Sequence, residues 1–307
     1  MELITAISPH IKAAESTRRI MFDLIVALSP VTLFGVSIFG FRALLVVAVS
    51  VASAVLSEAL FCYILKKPVT AWDLSAAVTG LILALNLPPR IPLYMAAVGS
   101  AFAIVVIKIL FGGIGKNLLN PAAAARVFML LSFGTAMSTY YEPFTDLVAT
   151  ATPLSGGNYM FKELFFGVCS GTIGETSAVM LLFGGAYLVL RKVITLHIPL
   201  SFILTVMLVS LIAGRAPLTE VCSGGILLGA IFMATDYTTS PVTPVGQLVF
   251  GIGCGLLTMF FRIFGGMPEG VSYSIILMNL AVPAIDRYLP TVPFGRMLAV
   301  RKEEENA

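Results

Sequence analysis

The sequence predicts an all-α polytopic membrane protein of about ten transmembrane helices, arranged as two inverted five-helix repeats whose third and eighth spans are interrupted. Composition is the first observation behind this prediction. Hydrophobic residues make up 58% of the 307 residues and charged residues only 11%, against roughly 25% charged in a soluble domain. The second is a series of ten apolar stretches, most of which approach the roughly 20 residues of helix that cross a bilayer. The third is a Phe-Gly-Gly sequence and a proline that both recur in the second half of the chain at the same offset.

Composition also excludes several classes of protein. Polar side chains are too few to cover a folded surface in water, so a soluble enzyme, a nucleic-acid-binding protein and a disordered chain are excluded. The four cysteines have no C-x-x-C spacing and indicate neither a zinc site nor an iron–sulfur cluster. Cys169 and Cys222 fall on one predicted side of the membrane, where we expect free thiols rather than the alternative disulfide.

The predicted spans follow one another with short connections, except at one long central loop. Residues 1–19 carry several charges and form an N-terminal segment without the apolar core of a signal peptide. The first repeat, 20–138, has spans at 20–39, 43–65, 71–87, 92–111 and 120–137. After the loop 139–172, the second repeat, 173–290, has spans at 173–190, 198–213, 224–235, 245–264 and 271–289. Residues 291–307 form a tail.

Basic residues set the predicted orientation, because cytoplasmic loops of membrane proteins are enriched in Lys and Arg. With the N-terminus in the cytoplasm, five basic residues face outward: Arg42, Arg90, Lys162, Arg215 and Arg262. Many more face the cytoplasm: Lys12, Arg18, Arg19, Lys66, Lys67, Lys116, Arg191, Lys192, Arg287, Arg296, Arg301 and Lys302. Both termini are therefore predicted to be cytoplasmic and the loop 139–172 extracytoplasmic.

An internal repeat is predicted from two anchors at the same offset. Phe111-Gly112-Gly113 recurs as Phe264-Gly265-Gly266, and the same offset carries Pro88, after the short third span, onto Pro241, after the short eighth. Because five spans is an odd number, the second repeat is inverted relative to the first. Interrupted spans in inverted repeats commonly enclose a ligand site, so we expect a cavity there. The alternative is coincidence, since Gly and Pro are common in membrane helices.

Six ionisable residues fall within or at the ends of spans: Asp23, Glu58, Asp73, Lys108, Arg126 and Asp236. Each costs at least about 2.5 kcal/mol at the bilayer centre unless it is paired or hydrated. One interpretation is an ion pathway with Asp23, Glu58, Asp73 and Asp236 as its stations, among which Glu58 is the leading candidate. The other is snorkelling of the acids near span ends, and pairing of Lys108 or Arg126 with an acid.

The central loop contains a short motif with one accessible hydroxyl. Thr152 precedes Pro153, which disfavours helical backbone at Thr152, and its neighbour Ala151 is small. Further on, Thr172-x-x-Glu175 fits a capping box that would begin the sixth span. A Thr-Ala-Thr sequence in a loop is weak evidence when taken alone.

Asp146 and Ala151-Thr152-Pro153 together resemble the flavinylation motif of the RnfD/NqrB family, membrane subunits of the Rnf complexes and of Na⁺-translocating NADH:quinone oxidoreductases. The resemblance extends along nearly the whole chain, and the short length and Ala-Thr-Pro-Leu ending are closest to RnfD. Other similar segments begin at Ser8, Gly112, Gly174, Asp236 and Phe264: SPHI, GGIGKNLLNPA, GETSA, DYTTSP and FGG.

The resemblance implies two flavins. Thr152 would carry FMN through a phosphoester bond, installed outside the membrane by a flavin transferase, with Thr150 as a competing acceptor. A second, non-covalent flavin, riboflavin in some relatives, would lie between the repeats near Asn117 and Asn120. The other interpretation of Asn120 is helix capping, because Asn120-Pro121 is a good helix start.

The function implied by the resemblance is that of the D subunit of an Rnf-type complex in a bacterial cytoplasmic membrane. It would pass electrons between ferredoxin and NAD⁺, coupled to Na⁺ or H⁺ translocation, without catalytic activity in isolation. The sequence has neither a Rossmann fingerprint nor a cysteine cluster, so the other Rnf subunits (A, B, C, E and G) would handle NAD⁺ and ferredoxin. The rival hypothesis is a channel or secondary transporter on the same plan without a redox role; a second alternative is an assembly scaffold.

Overall fold

The computed structural model describes residues 16–66, 71–145, 148–149, 159–265 and 270–290. Asp146, Thr150, Ala151, Thr152 and Pro153 lie outside the described residues. The described part is mostly helical, as expected, with one two-stranded ladder. Strands β1 (Tyr140–Tyr141) and β2 (Val148–Ala149) pair antiparallel, with Tyr140 opposite Ala149.

The first half begins with two long helices, α1 (Thr17–Phe39) and α2 (Phe41–Ile64). The Ser16 hydroxyl accepts from the Arg19 amide and caps α1. Gly40, at φ 73° and ψ −164°, occupies backbone space that is essentially restricted to glycine, so α2 follows α1 at once. The remaining elements are a 3₁₀ turn (Ala71–Asp73), α3 (Ser75–Leu85), α4 (Leu93–Phe102) continued by a π-helical segment (Ala103–Ile109), α5 (Pro121–Ser132) and α6 (Gly134–Met137).

The second half follows β2 with shorter helices before its last two long ones. Its elements are α7 (Phe161–Phe166), α8 (Ala178–Leu190), α9 (His197–Ile212), α10 (Pro217–Cys222), α11 (Ile226–Leu228) continued by a π-helical segment (Gly229–Met233), α12 (Pro244–Phe264) and α13 (Val271–Tyr288). The start of α12 is fixed by Thr243, whose hydroxyl accepts from the Gly246 amide at 3.0 Å.

Three of the described helices, α1, α2 and α12, are long and apolar enough to cross a membrane individually. Shorter apolar helices occupy other predicted spans: Ser75–Leu85, Leu93–Ile109, Pro121–Ser132, Ala178–Leu190 and His197–Ile212. These helices support the prediction of an α-helical membrane protein. The number of ten spans and their inverted repetition stay predictions.

The expected capping box at the sixth span is wrong. Helix α8 begins at Ala178, with Ser177 as its N-cap, whereas Ile173 and Gly174 are not helical. Their amides donate to the carbonyls of Leu87 at 3.1 Å and Leu85 at 2.7 Å. The strand-like contact with the end of α3 takes the place of the first helical turn.

A single apolar core joins the two halves. Buried side chains of α1, α3 and α5 belong to one cluster with those of α8, α9 and α12. Helix α3 ends at Leu85, before Asn86-Leu87-Pro88-Pro89, and the π-helical segment of the second half ends at Met233. Two non-helical breaks, one in each half, thus lie inside the protein, where buried polar backbone groups must find partners.

Candidate functional site

A cleft with a cavity volume of about 80 Å³ lies between the two halves of the chain. Its walls come from α1, α3, the loop before α5, the second π-helical segment and the turn after it. This volume is below the range of typical small-molecule and cofactor sites, about 300–1,000 Å³, so a ligand of cofactor size would have to displace side chains that line the cleft. Apolar side chains dominate the lining, and the polar residues among them are Ser75, Thr79, Lys108, Asn117, Asn120, Thr235, Asp236, Tyr237 and Thr238.

Asn120 both caps a helix and joins the halves. Its Oδ1 accepts from the amides of Ala122 and Ala123, at 3.0 and 3.1 Å, as expected of the N-cap of α5. Its Nδ2 donates to the carbonyl of Met233 at 2.9 Å, which satisfies a carbonyl at the end of the π-helical segment. The capping role is thereby confirmed, and the same side chain joins the start of α5 to the end of the second π-helical segment.

Asn117, three residues earlier, lines the same cleft with a different geometry. Its Oδ1 is buried and has no hydrogen-bond partner among the described residues. A buried acceptor without a donor costs about 1–3 kcal/mol. This arrangement therefore favours a ligand that presents an N–H or O–H group to Asn117.

Lys108 is the centre of a hydrogen-bonded chain on the first half's side of the cleft. Its ammonium donates to Glu58 Oε1 at 2.7 Å and to Ser75 Oγ at 2.5 Å. Ser75 Oγ in turn donates to Asp73 Oδ1 at 2.6 Å. Glu58 is 1% exposed and Lys108 3%, so Lys108 forms a buried ion pair with an acid. Two of the four ion-pathway candidates, Glu58 and Asp73, thus belong to one cluster.

The other two ion-pathway candidates lie apart from that cluster. Asp236 lines the cleft, where its carboxylate accepts from the Thr238 and Thr239 hydroxyls at 3.0 and 3.2 Å. Asp23 does not line the cleft, and it joins α1 to α8 by accepting from the Tyr187 hydroxyl at 2.9 Å and from Arg191 at 3.1 Å. The described structure therefore brings three of the four acids to the neighbourhood of the cleft.

A second buried network joins the break after α3 to two segments of the second half. Arg126, 1% exposed, donates to Asn86 Oδ1 at 2.5 Å and to Glu175 Oε1 at 3.0 Å. Gly225 packs against this pair, and a Cβ atom there would lie 2.7 Å from Glu175 Oε1. The break after α3, the segment before α8 and the start of α11 consequently meet at one guanidinium.

The sequence predicted an acid beside Arg126 but not which one, and it did not predict the partners of Arg262. That residue is buried and donates to the Glu220 carboxylate at 2.8 Å and to the carbonyls of Glu220 and Ser223, both at 2.8 Å. Glu175 and Glu220 are more than 40 residues away from Arg126 and Arg262 along the chain, so no local pattern identifies these two pairs. Glu220 also accepts from the nearby Arg215 at 3.0 Å.

The flanks of the long central loop contact other parts of the chain. The Arg90 guanidinium lies 5.1 Å from the centre of the Tyr141 ring, a cation–π distance. The Phe144 amide donates to the carbonyl of Ile38, near the end of α1, at 3.3 Å. The four cysteines are described and all are free thiols, as expected.

Comparison with known proteins identifies the family. The model of the NQR2, RnfD, RnfE family matches residues 4–295. The chain belongs to this family.

The curated relatives match the chain along almost its whole length. The D subunit of the Na⁺-translocating ferredoxin:NAD⁺ oxidoreductase complex of Acetobacterium woodii is 46% identical, over 99% of this chain and 98% of that protein. The D subunit of the proton-translocating ferredoxin:NAD⁺ oxidoreductase complex of Clostridium ljungdahlii is 40% identical, over 94% and 95%. The D subunit of an ion-translocating oxidoreductase complex of Stutzerimonas stutzeri is 36% identical, over 92% and 93%.

Proposed function

We propose that this family member is the D subunit, a membrane flavoprotein, of an Rnf-type complex, carrying covalent FMN on Thr152 and a second, non-covalent flavin in the cleft. The observation that carries the proposal is the full-length similarity to the D subunits of two ferredoxin:NAD⁺ oxidoreductase complexes. The chain would act with the other Rnf subunits (A, B, C, E and G), and with a flavin transferase during maturation. It has no catalytic activity in isolation.

We propose ten spans in two inverted repeats, embedded in lipid of a bacterial cytoplasmic membrane with both termini inside. The apolar helices and the presence of one break in each half support this arrangement. A cysteine introduced as Asn158→Cys should react with an impermeant maleimide from outside. Labelling only after permeabilisation would invert the topology.

The residues that line the cleft have the chemistry expected for the ring of a non-covalent flavin such as riboflavin, which would enter by widening the cleft. An isoalloxazine is planar and has an imide N–H, which matches the partnerless buried acceptor of Asn117. Ile82, Ile114 and Phe232 supply apolar walls, and Asn120 holds the wall in place. The bound flavin would supply reversible electron acceptance, while the protein supplies orientation and electrostatics.

The ion that is moved would pass near the acids of the cleft. Glu58 and Asp73 are joined through Lys108 and Ser75, and Asp236 lies on the facing half. Asp23, which pairs with Arg191, would be a further station of the ion pathway, at the edge of the bundle. Glu58→Gln should impair coupling of electron transfer to Na⁺ or H⁺ movement more than it changes flavin content.

The test of the covalent flavin is the mass and in-gel fluorescence of the denatured chain, coexpressed with its flavin transferase. We expect an increment equal to FMN on the peptide that contains Thr152, lost in Thr152→Ala and retained in Thr150→Ala. An increment that persists in Thr152→Ala moves the attachment to another residue. An unmodified chain, made beside a control substrate that the same transferase does modify, would favour the channel or transporter.

A further inference from the structure

Lys108 is the only basic side chain among the described residues that line the cleft. Its ammonium has three N–H donors, of which two are directed to Glu58 Oε1 and Ser75 Oγ. The described residues provide no acceptor for the third. A buried cation in the wall of a cavity thus keeps one donor for a ligand.

The facing acid does not neutralise this cation. Asp236 accepts from the hydroxyls of Thr238 and Thr239 and from the Thr238 amide, all within its own turn. The carboxylate of Glu58, the direct counter-ion, lies behind Lys108 and outside the lining of the cleft. A ligand in the cleft therefore meets the ammonium directly and Glu58 only at greater distance.

We propose that Lys108 is a specificity-determining residue of the cleft, which favours the anionic reduced form of the bound flavin ring over its neutral oxidised form. The inference rests on the non-covalent flavin of the proposed function. An ammonium attracts an anionic ring by a charge–charge interaction that a neutral ring lacks, so the same contact stabilises the reduced ring more than the oxidised ring. Glu58 and Ser75 are positioning residues, because they hold the ammonium in the wall.

The experiment uses the full-length chain in lipid nanodiscs, in a Thr152→Ala background that removes the covalent flavin, saturated with riboflavin. Redox titration followed by visible absorbance reports the midpoint potential of the bound riboflavin. Lys108→Met should weaken binding of the reduced ring relative to the oxidised ring about tenfold, which lowers the midpoint potential by about 30 mV for a two-electron couple.

Lys108→Met alone leaves Glu58 buried without its cation, so the K108M/E58Q double variant provides a second measurement. It removes both charges, and we expect its potential to lie below that of the wild type but above that of Lys108→Met. Lys162→Met, an exposed lysine on α7, is the matched control and should leave the potential unchanged.

A merely structural role of Lys108 would change the affinity for both redox states equally and leave the potential where it was, which would overturn the inference. Absence of riboflavin binding to the wild-type cleft would remove the non-covalent flavin and the inference with it. The mass of the Thr152 peptide is measured separately, so that result leaves the covalent FMN standing.

Discussion

Replacement of Arg126 by methionine tests the network that joins the break after α3 to the second half. The variant keeps an apolar stem but leaves Glu175, 9% exposed, without its guanidinium, and Asn86, fully buried, without its donor. Removing one partner of a buried ion pair costs about 3–5 kcal/mol, and an orphaned buried acceptor about 1–3 kcal/mol. The sum, about 4–8 kcal/mol, is comparable to the whole free energy of unfolding of many proteins.

The assay is unfolding by SDS in mixed micelles, followed by far-UV circular dichroism. Arg126→Met should unfold at a much lower SDS fraction than wild type. The R126M/E175Q double variant, with no buried charge left behind, should recover most of the loss. Arg191→Met is the matched control, because its ion pair with Asp23 has the same chemistry, but Arg191 is 38% exposed. Because Arg191 reaches solvent and Asp23, although buried, keeps its hydrogen bond from Tyr187, we expect a smaller loss than for Arg126→Met.

Two results would refute this reasoning. If Arg126→Met and Arg191→Met unfold at the same SDS fraction, the contacts of the buried Arg126 guanidinium contribute no more free energy than those of the partly exposed Arg191. If R126M/E175Q is no more stable than the single variant, the loss of stability comes from the lost packing of the guanidinium and not from the Glu175 carboxylate left without a cation.

Three further predictions concern single residues. Gly225→Ala should lower stability more than Gly214→Ala, because both have φ near +70° but only Gly225 has a carboxylate within 2.7 Å of the added Cβ; equal losses in thermal unfolding would contradict this. Burial raises the pKa of the Cys169 thiol to about 12, so at neutral pH maleimide should modify the partly exposed Cys222 first, as peptide mass spectrometry would show. Asn117→Ala should weaken riboflavin binding in fluorescence titration without lowering stability, whereas Asn120→Ala, which loses an N-cap, should lower stability by about 1 kcal/mol; the reverse order would exchange their roles.

Long helices were predictable because their signals are local. The expected spans 20–39, 43–65 and 245–264 fall within three residues of Thr17–Phe39, Phe41–Ile64 and Pro244–Phe264. An apolar run of about 20 residues predicts a helix that crosses the bilayer. Ser16 and Thr243 cap the starts of α1 and α12 with hydrogen bonds. Helical segments also lie within the short third and eighth predicted spans: α3, and α11 with its π-helical continuation.

The interior of the site was only partly predictable. Capping was one of the two interpretations of Asn120, drawn from its proline neighbour, and the structure shows the cap; its bond to Met233 spans 113 residues and had no local signal. The partners of Arg126 and Arg262 depend on how distant segments meet, and a sequence contains no local trace of that. The start of α8 was misjudged for the same reason, because Ile173 and Gly174 bond to the end of α3 rather than to their own helix.

Hydrogen bonds between the two halves of the chain hold them together. Arg126 with Glu175, Asn120 with Met233, and Gly174 with Leu85 each join one half to the other at the level of the breaks. A carrier that rocks one half against the other would have to rupture these bonds in every turnover. Halves that stay joined would keep groups on opposite halves at a constant separation, which suits the electron transfer proposed above because its rate falls steeply with distance.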